Sequence, residues 1–140
     1  MSKNGDIVRA GSKKFKSAVA KSMPALGGVI RTDSVENFRR EAFHKGTGYQ
    51  KWRKLSKAYK AEKDIRHSGK KILQRKGELR VSVRNLKVTK NSVTVGSTLD
   101  YAVKHNEGTN GMPKRRFLGE SKILIKRINS ELNRRLANLN

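Results

Sequence analysis

Three apolar patterns organise the chain. Leu79, Val81 and Val83 alternate with Arg80, Ser82 and Arg84, the period of a half-buried strand. The phase breaks at Asn85 and resumes at Leu86 and Val88, which predicts a bulge or a corner. Lys90-Asn91-Ser92 reads as a turn, and Val93 and Val95 give a returning strand that stops at Gly96. Upstream the period is helical. Phe15, Ala18, Val19 and Met23 follow a Ser12 cap and run to Pro24, with Gly27-Gly28 as a flexible joint. A second helix is expected from a Thr32 or Asp33 cap through Val35, Phe38, Ala42 and Phe43 to a stop at Gly46, with Glu36 and Arg40 as a favourable pair. Downstream, Gly119-Glu120-Ser121 offers start chemistry for a stripe of Leu124, Ile128, Leu132, Leu136 and Leu139, widened by Ile123 and Ile125. That is a helix of about twenty residues, long for a chain of this size. Together the patterns predict an α+β fold, a small antiparallel β-sheet packed by N-terminal helices and a long C-terminal helix.

Charge changes the picture. The 140 residues carry a formal net charge of +23, with only 34% hydrophobic residues. This length suits one domain. Self-repulsion of that size opposes compaction, so either a polyanion or an oppositely charged protein surface is expected as partner. Residues 1–11 read as a flexible basic arm, and residues 46–71 as a basic loop region. Trp52, Leu55 and Tyr59 lie at helical spacing inside the basic stretch. They read either as a stacking platform for nucleic acid or as an anchor pinning a solvated segment; one tryptophan makes a thin platform, so the anchor is preferred. Ala61–Lys71 has Ile65 as its one sizeable apolar group and is expected to order on meeting a partner.

Chemistry narrows the field by exclusion. There is no cysteine, hence no disulfide and no thiolate site. No run approaches the length of a membrane span, and the N-terminus lacks the apolar stretch of a signal peptide, so a soluble chain of the cell interior, or of a particle made there, is expected. His44, His67 and His105 are scattered, and no phosphate-binding, dinucleotide or nucleophile-elbow motif occurs. Neither catalysis nor a metal or other cofactor is expected. A bare GxxG string at Gly108–Gly111 sits outside the two-helix setting that would make it a nucleic-acid clamp.

The stretch Tyr101–Leu118, YAVKHNEGTNGMPKRRFL, joins the strand pattern to the last helix. Gly108 and Gly111 permit a tight turn, Pro113 sets the exit, and Phe117 and Leu118 are expected to plug the core. Arg115 and Arg116 are expected to face outward, toward a neighbour's carboxylates. A connector that stabilises the fold and a contact surface stand as equal readings.

The order of landmarks resembles the phage virion morphogenesis family, whose members complete or join the tail of tailed bacteriophages. The resemblance rests on Phe38–Phe43, Trp52-Arg53-Lys54, Ile72-Leu73, Gly77-Glu78-Leu79-Arg80-x-Ser82-Val83 and Val93–Gly96. It is most specific in YAxxHNxG from Tyr101 to Gly108 followed by MPxRxFLGxS from Met112 to Ser121. It covers the chain from about Val29, and departs from the family at Lys76, where a threonine or serine is often found. It implies a non-enzymatic virion protein of the head–tail neck, made in the bacterial host. The implied assembly is a homo-oligomeric ring, with a hexamer favoured and a dodecamer as the alternative, in contact with connector and tail proteins. Tyr101, Ala102, His105, Asn106, Gly108, Pro113, Arg115, Arg116, Phe117 and Leu118 are its motif and the expected subunit contact. Lys51, Arg53, Lys54, Lys57, Lys60, Lys70, Lys71, Arg75 and Lys76 form the expected basic surface, facing genomic DNA or acidic protein. The alternative is a free nucleic-acid-binding protein without sequence specificity.

Overall fold

The computed structural model describes residues 3–46, 48–67, 69–74, 77–109 and 111–137, with the side chains of residues 3–11 and of residue 67 left aside. Its first element is one helix, α1 (Lys3–Arg40), of 38 residues. It begins inside the stretch expected as an arm and runs through Pro24 and Gly27-Gly28 without a break. Proline removes one helical hydrogen bond, a local cost that packing of other elements on the helix offsets. Helix α5 (Lys122–Leu136) lies along α1, and the hairpin of β3 (Arg84–Val88) and β4 (Val93–Gly96) packs on it too. Gly27 serves this contact: a Cβ there would come within 2.0 Å of Asn85 Oδ1, and Asn85 Nδ2 donates to Pro24 O at 3.3 Å. The expected joint is a close-approach point for a strand.

Helix α1 ends where Glu41 adopts a φ of 51°. Ala42 and Phe43, expected in a helix, enter β1 (Ala42–Lys45), which pairs antiparallel with β2 (Gly48–Lys51). The pairing continues as Trp52 N–H donates to Glu41 O at 2.8 Å. The basic region expected as a loop holds β2 and a helix, α2 (Lys57–His67). Lys63 is buried at 4% exposure in α2, and its ammonium donates to Lys70 O and Lys71 O, tying the following loop back to the helix.

The alternating run at Leu79–Val83 is a short helix, α3 (Glu78–Ser82), followed by extended backbone at Val83. Leu79 and Val83 are buried while Val81 is exposed. Inward positions four residues apart fit a helix turn as well as a strand, so alternation over five residues was ambiguous. The hairpin proper starts one step later. It carries the bulge foreseen at Asn85, where the register shifts between Asn85 and Lys87. The fold is α+β, and the described residues form two separate two-stranded antiparallel sheets instead of one.

The core gathers Phe38 of α1, Trp52, Leu79, Val83, Phe117 and Ala102 of a further helix, α4 (Ala102–Glu107). The Phe38 ring meets Trp52 edge-on at 5.7 Å and Phe117 at 4.8 Å. Trp52 is therefore the anchor of the basic segment. Ser121 caps α5 as expected, its Oγ accepting from Leu124 N–H at 3.0 Å. The helix has 15 residues and ends before Leu139, which lies outside the described residues. Among the described residues no helix is long and apolar enough to cross a membrane.

Candidate functional site

The motif stretch folds as a clamp on its own backbone. Helix α4 stops at Gly108, whose φ of 76° is left-handed and whose N–H returns to Lys104 O. A Cβ at this position would lie 3.0 Å from the Lys114 nitrogen, so both the backbone angle and the close approach require glycine. Thr109 and Met112 exchange main-chain bonds across the loop. The chain then runs back beside α4, with Arg115 N–H donating to His105 O at 2.9 Å. Asn106 Oδ1 accepts from both Phe117 N–H (3.1 Å) and Leu118 N–H (3.0 Å). Asn37 of α1 donates to Phe117 O, and Trp52 Nε1 donates to Arg116 O at 2.7 Å.

The two arginines do not face outward. Arg115 is 7% exposed, and its guanidinium donates to Arg53 O and Lys54 O. Arg116 lies half-buried with its guanidinium over the Phe43 ring at 4.6 Å. Within Lys114-Arg115-Arg116 only Lys114 is exposed. Arginine is suited to this inward task because its planar fork holds several donors in fixed directions, here toward two successive carbonyls.

We expect Asn106→Ala to lower stability by about 2 kcal/mol, since two main-chain donors lose their acceptor. Asn106→Asp, which keeps an acceptor oxygen, should cost less. Urea midpoints of the two variants check the difference. Gly108→Ala should destabilise by about 1–3 kcal/mol through its left-handed φ, read by the same midpoint.

Between this clamp and α2 lies a cavity of about 1050 Å³. Tyr101, His105, Met112, Pro113 and Arg115 form the motif wall. Arg53, Lys54, Leu55, Lys57, Tyr59 and Lys63 also line it, with Leu73, Glu78 and Leu79. Two sets of residues that the sequence suggested separately thus meet around one space. Burial, with the nearby Arg115 charge, holds the His105 pKa below the usual histidine range. Burial, and then the charge of Arg53, lowers that of Arg115. Burial and the Glu78 carboxylate raise that of Tyr101.

Among the described residues, the other expected cations do not line the cavity. Lys51 donates to Arg40 O, Lys60 pairs with Asp64 at 3.5 Å, and Lys71 donates to Arg39 O. Lys70 is exposed, with its carbonyl held by Lys63. Arg75 and Lys76 lie outside the described residues. Ala102, Phe117 and Leu118 pack in or against the core.

A second polar cluster went unread in the sequence. Arg127 of α5 donates to Asp33 Oδ1 (3.1 Å) and Glu36 Oε2 (2.8 Å) of α1. Glu36 also accepts from Tyr49 Oη at 2.8 Å and from Arg40. His44 Nε2 lies 3.3 Å from Asp33 Oδ1, both side chains almost wholly buried. Asp33, Glu36 and His44 stand close enough to hold a cation, within 4.8 Å of one another. The Arg127 guanidinium already brings positive charge to both carboxylates, and the cluster works as a tie between α1, β1, β2 and α5. Local sequence shows only its Glu36–Arg40 pair, which forms as expected at 3.1 Å; Arg127 is more than ninety positions from Asp33 and Glu36.

The profile of the phage virion morphogenesis family matches residues 6–137, reaching well upstream of the Val29 boundary drawn from the motifs. The chain is 31% identical over 115 residues to the Mu-like prophage FluMu G protein 1 of Haemophilus influenzae, covering 81% of this chain and 77% of that protein. No solved structure gives a significant match.

Proposed function

The chain belongs to the phage virion morphogenesis family, and from that premise we propose that this virion structural protein acts at the head–tail junction. There it completes the tail as a ring, with a hexamer favoured over a dodecamer, joining connector to tail around the DNA channel. The observation that carries a structural role is what the family motif is used for. Asn106, Arg115 and the Arg116–Leu118 backbone spend their polar groups on holding the chain to itself. That is the arrangement of a part that must be rigid, and it supports assembly over catalysis.

Charge supports a crowded, polyanionic or acidic setting. The net charge of +23 leaves most cations without an internal carboxylate, and Asp33, Glu36 and Glu131 are already paired within the fold. Cations on the inner face of a ring would meet the phosphates of passing DNA. The same charge favours the second reading, a free nucleic-acid-binding protein.

Deleting the gene from its phage, followed by electron microscopy of lysates, tests the proposal. Filled heads and unjoined or incomplete tails are expected, with the protein present in wild-type particles by mass spectrometry. Infectious particles of normal form in its absence would overturn it. Native mass measurement of the isolated protein should show a closed ring or its subunits. A monomer that binds random DNA and is missing from particles would favour the second reading.

A further inference from the structure

We propose that the cavity between α2 and the motif clamp is a docking site for an acidic segment, interspersed with apolar side chains, of another virion protein. The inference rests on the assembly reading for the source of the partner, while the chemistry of the site stands on the cavity itself. Its rim is cationic. Arg53, Lys54 and Lys57 line the cavity and are exposed. No ion pair engages these three among the described residues. Glu78 is the sole carboxylate among the lining residues, and it lies beside the Tyr101 hydroxyl. The lining also carries the apolar and aromatic groups of Leu55, Tyr59, Leu73, Met112 and Pro113, together with the buried Lys63 and Arg115. A carboxylate-rich strand of chain would meet the rim, and its apolar side chains would pack on the apolar groups.

Two other occupants fit less well. Duplex DNA is a convex rod whose phosphates track a surface groove, and it would leave Leu55, Leu73, Met112 and Pro113 of the lining without an apolar partner. A second copy of this chain is a poor source of the segment, because only Glu62 and Asp64 of its 11 acidic residues lie within two positions of one another. The acids nearest in sequence, Glu62 and Asp64, lie on α2, which itself forms part of the cavity wall.

The test uses the full-length protein and fluorescence anisotropy. The probes are a short labelled peptide alternating glutamate with leucine and phenylalanine, a polyglutamate peptide of equal charge, and an oligodeoxythymidylate of equal charge. The mixed peptide should bind saturably, about tenfold tighter than polyglutamate, and keep part of its affinity at high salt, where exposed charge is screened. Lys54→Glu with Lys57→Glu should weaken it by about tenfold, and Tyr59→Ala should weaken it with little change in salt dependence. All three positions are exposed, so thermal unfolding should match the wild type. Equal binding of the two peptides, or unchanged binding by the variants, would overturn the proposal. So would oligodeoxythymidylate displacing the mixed peptide with equal potency, since that marks a single-stranded nucleic-acid site stacked on Tyr59 and Tyr101. If the peptide behaves as expected but the protein is missing from particles, the cavity assignment stands and the head–tail role fails.

Discussion

Phe117→Ala is expected to cost about 3–5 kcal/mol, toward the upper end of that range. The ring is 2% exposed and packs at 4.8 Å on Phe38, which in turn holds Trp52. A truncated side chain is tolerated when its surroundings can collapse into the space. Here the backbone is pinned on both sides, with Phe117 N–H on Asn106 and Phe117 O on Asn37. The cavity therefore stays open. Domains of this kind are stable by about 5–15 kcal/mol, so the loss is a large share of the whole. Urea unfolding should show a lower midpoint at an unchanged slope. Phe15→Ala makes the control: that ring is half exposed and should shift stability by less than about 0.5 kcal/mol. A small effect at Phe117 would mean that the core does not close around the motif.

Glu36→Gln is expected to cost about 3 kcal/mol at neutral pH, and the cost should vanish in acid. Burial pushes the Glu36 carboxyl upward, but hydrogen bonds from Tyr49, Arg127 and Arg40 and the Arg127 charge outweigh it, leaving a pKa of about 2 against an ordinary 4.5. A carboxylate whose folded pKa is depressed stabilises the fold above its unfolded pKa. That contribution is lost as pH falls from 4.5 toward about 2. The difference between wild type and variant should narrow across this window. Asp33 acts in the opposite sense. Burial raises its pKa above 3.8 despite the opposing charges of His44 and Arg127, so its ionisation weakens the fold as pH rises. The Glu36 charge is one of the causes that raise Asp33, and both carboxylates share Arg127, so the variant reads the pair and not Glu36 alone. Urea unfolding across the acid range checks the slope, and a difference independent of pH would refute the charge-based account.

The features legible in the sequence share one property: their causes are local. Ser121 announced α5 because a cap is a contact between near neighbours. The bulge at Asn85 showed as a break in period, and the turn after it as a polar triplet. Trp52 read as an anchor because a single large ring among cations has little else to do, and its indole reaches Arg116 O. The motif resemblance correctly identified the family, since ordered residue spacing survives without knowledge of contacts. The role of Tyr101–Leu118 as connector was half-read. Its glycines and Phe117 behaved as foreseen, whereas its arginines turned inward.

What tertiary structure decided has distant causes. Helix α1 continues past Pro24 and Gly27-Gly28 because α5 and the β3–β4 hairpin support it, elements that begin more than fifty residues later. The chain leaves the helix at Glu41 for β1 although Ala42 and Phe43 keep helical spacing, since pairing with β2 and Trp52 satisfies that backbone. Five residues of alternation at Leu79–Val83 were equally compatible with a turn of helix, and burial chose the helix. Arg115 is drawn inward by the carbonyls of Arg53 and Lys54, and Arg127 by the carboxylates of Asp33 and Glu36. The sequence by itself determined the family, the α+β class and the excess of positive charge, because composition, period and ordered spacing lie along the chain. Which cations that excess leaves at the surface, and which close the fold, depended on backbone oxygens and carboxylates brought near only by folding.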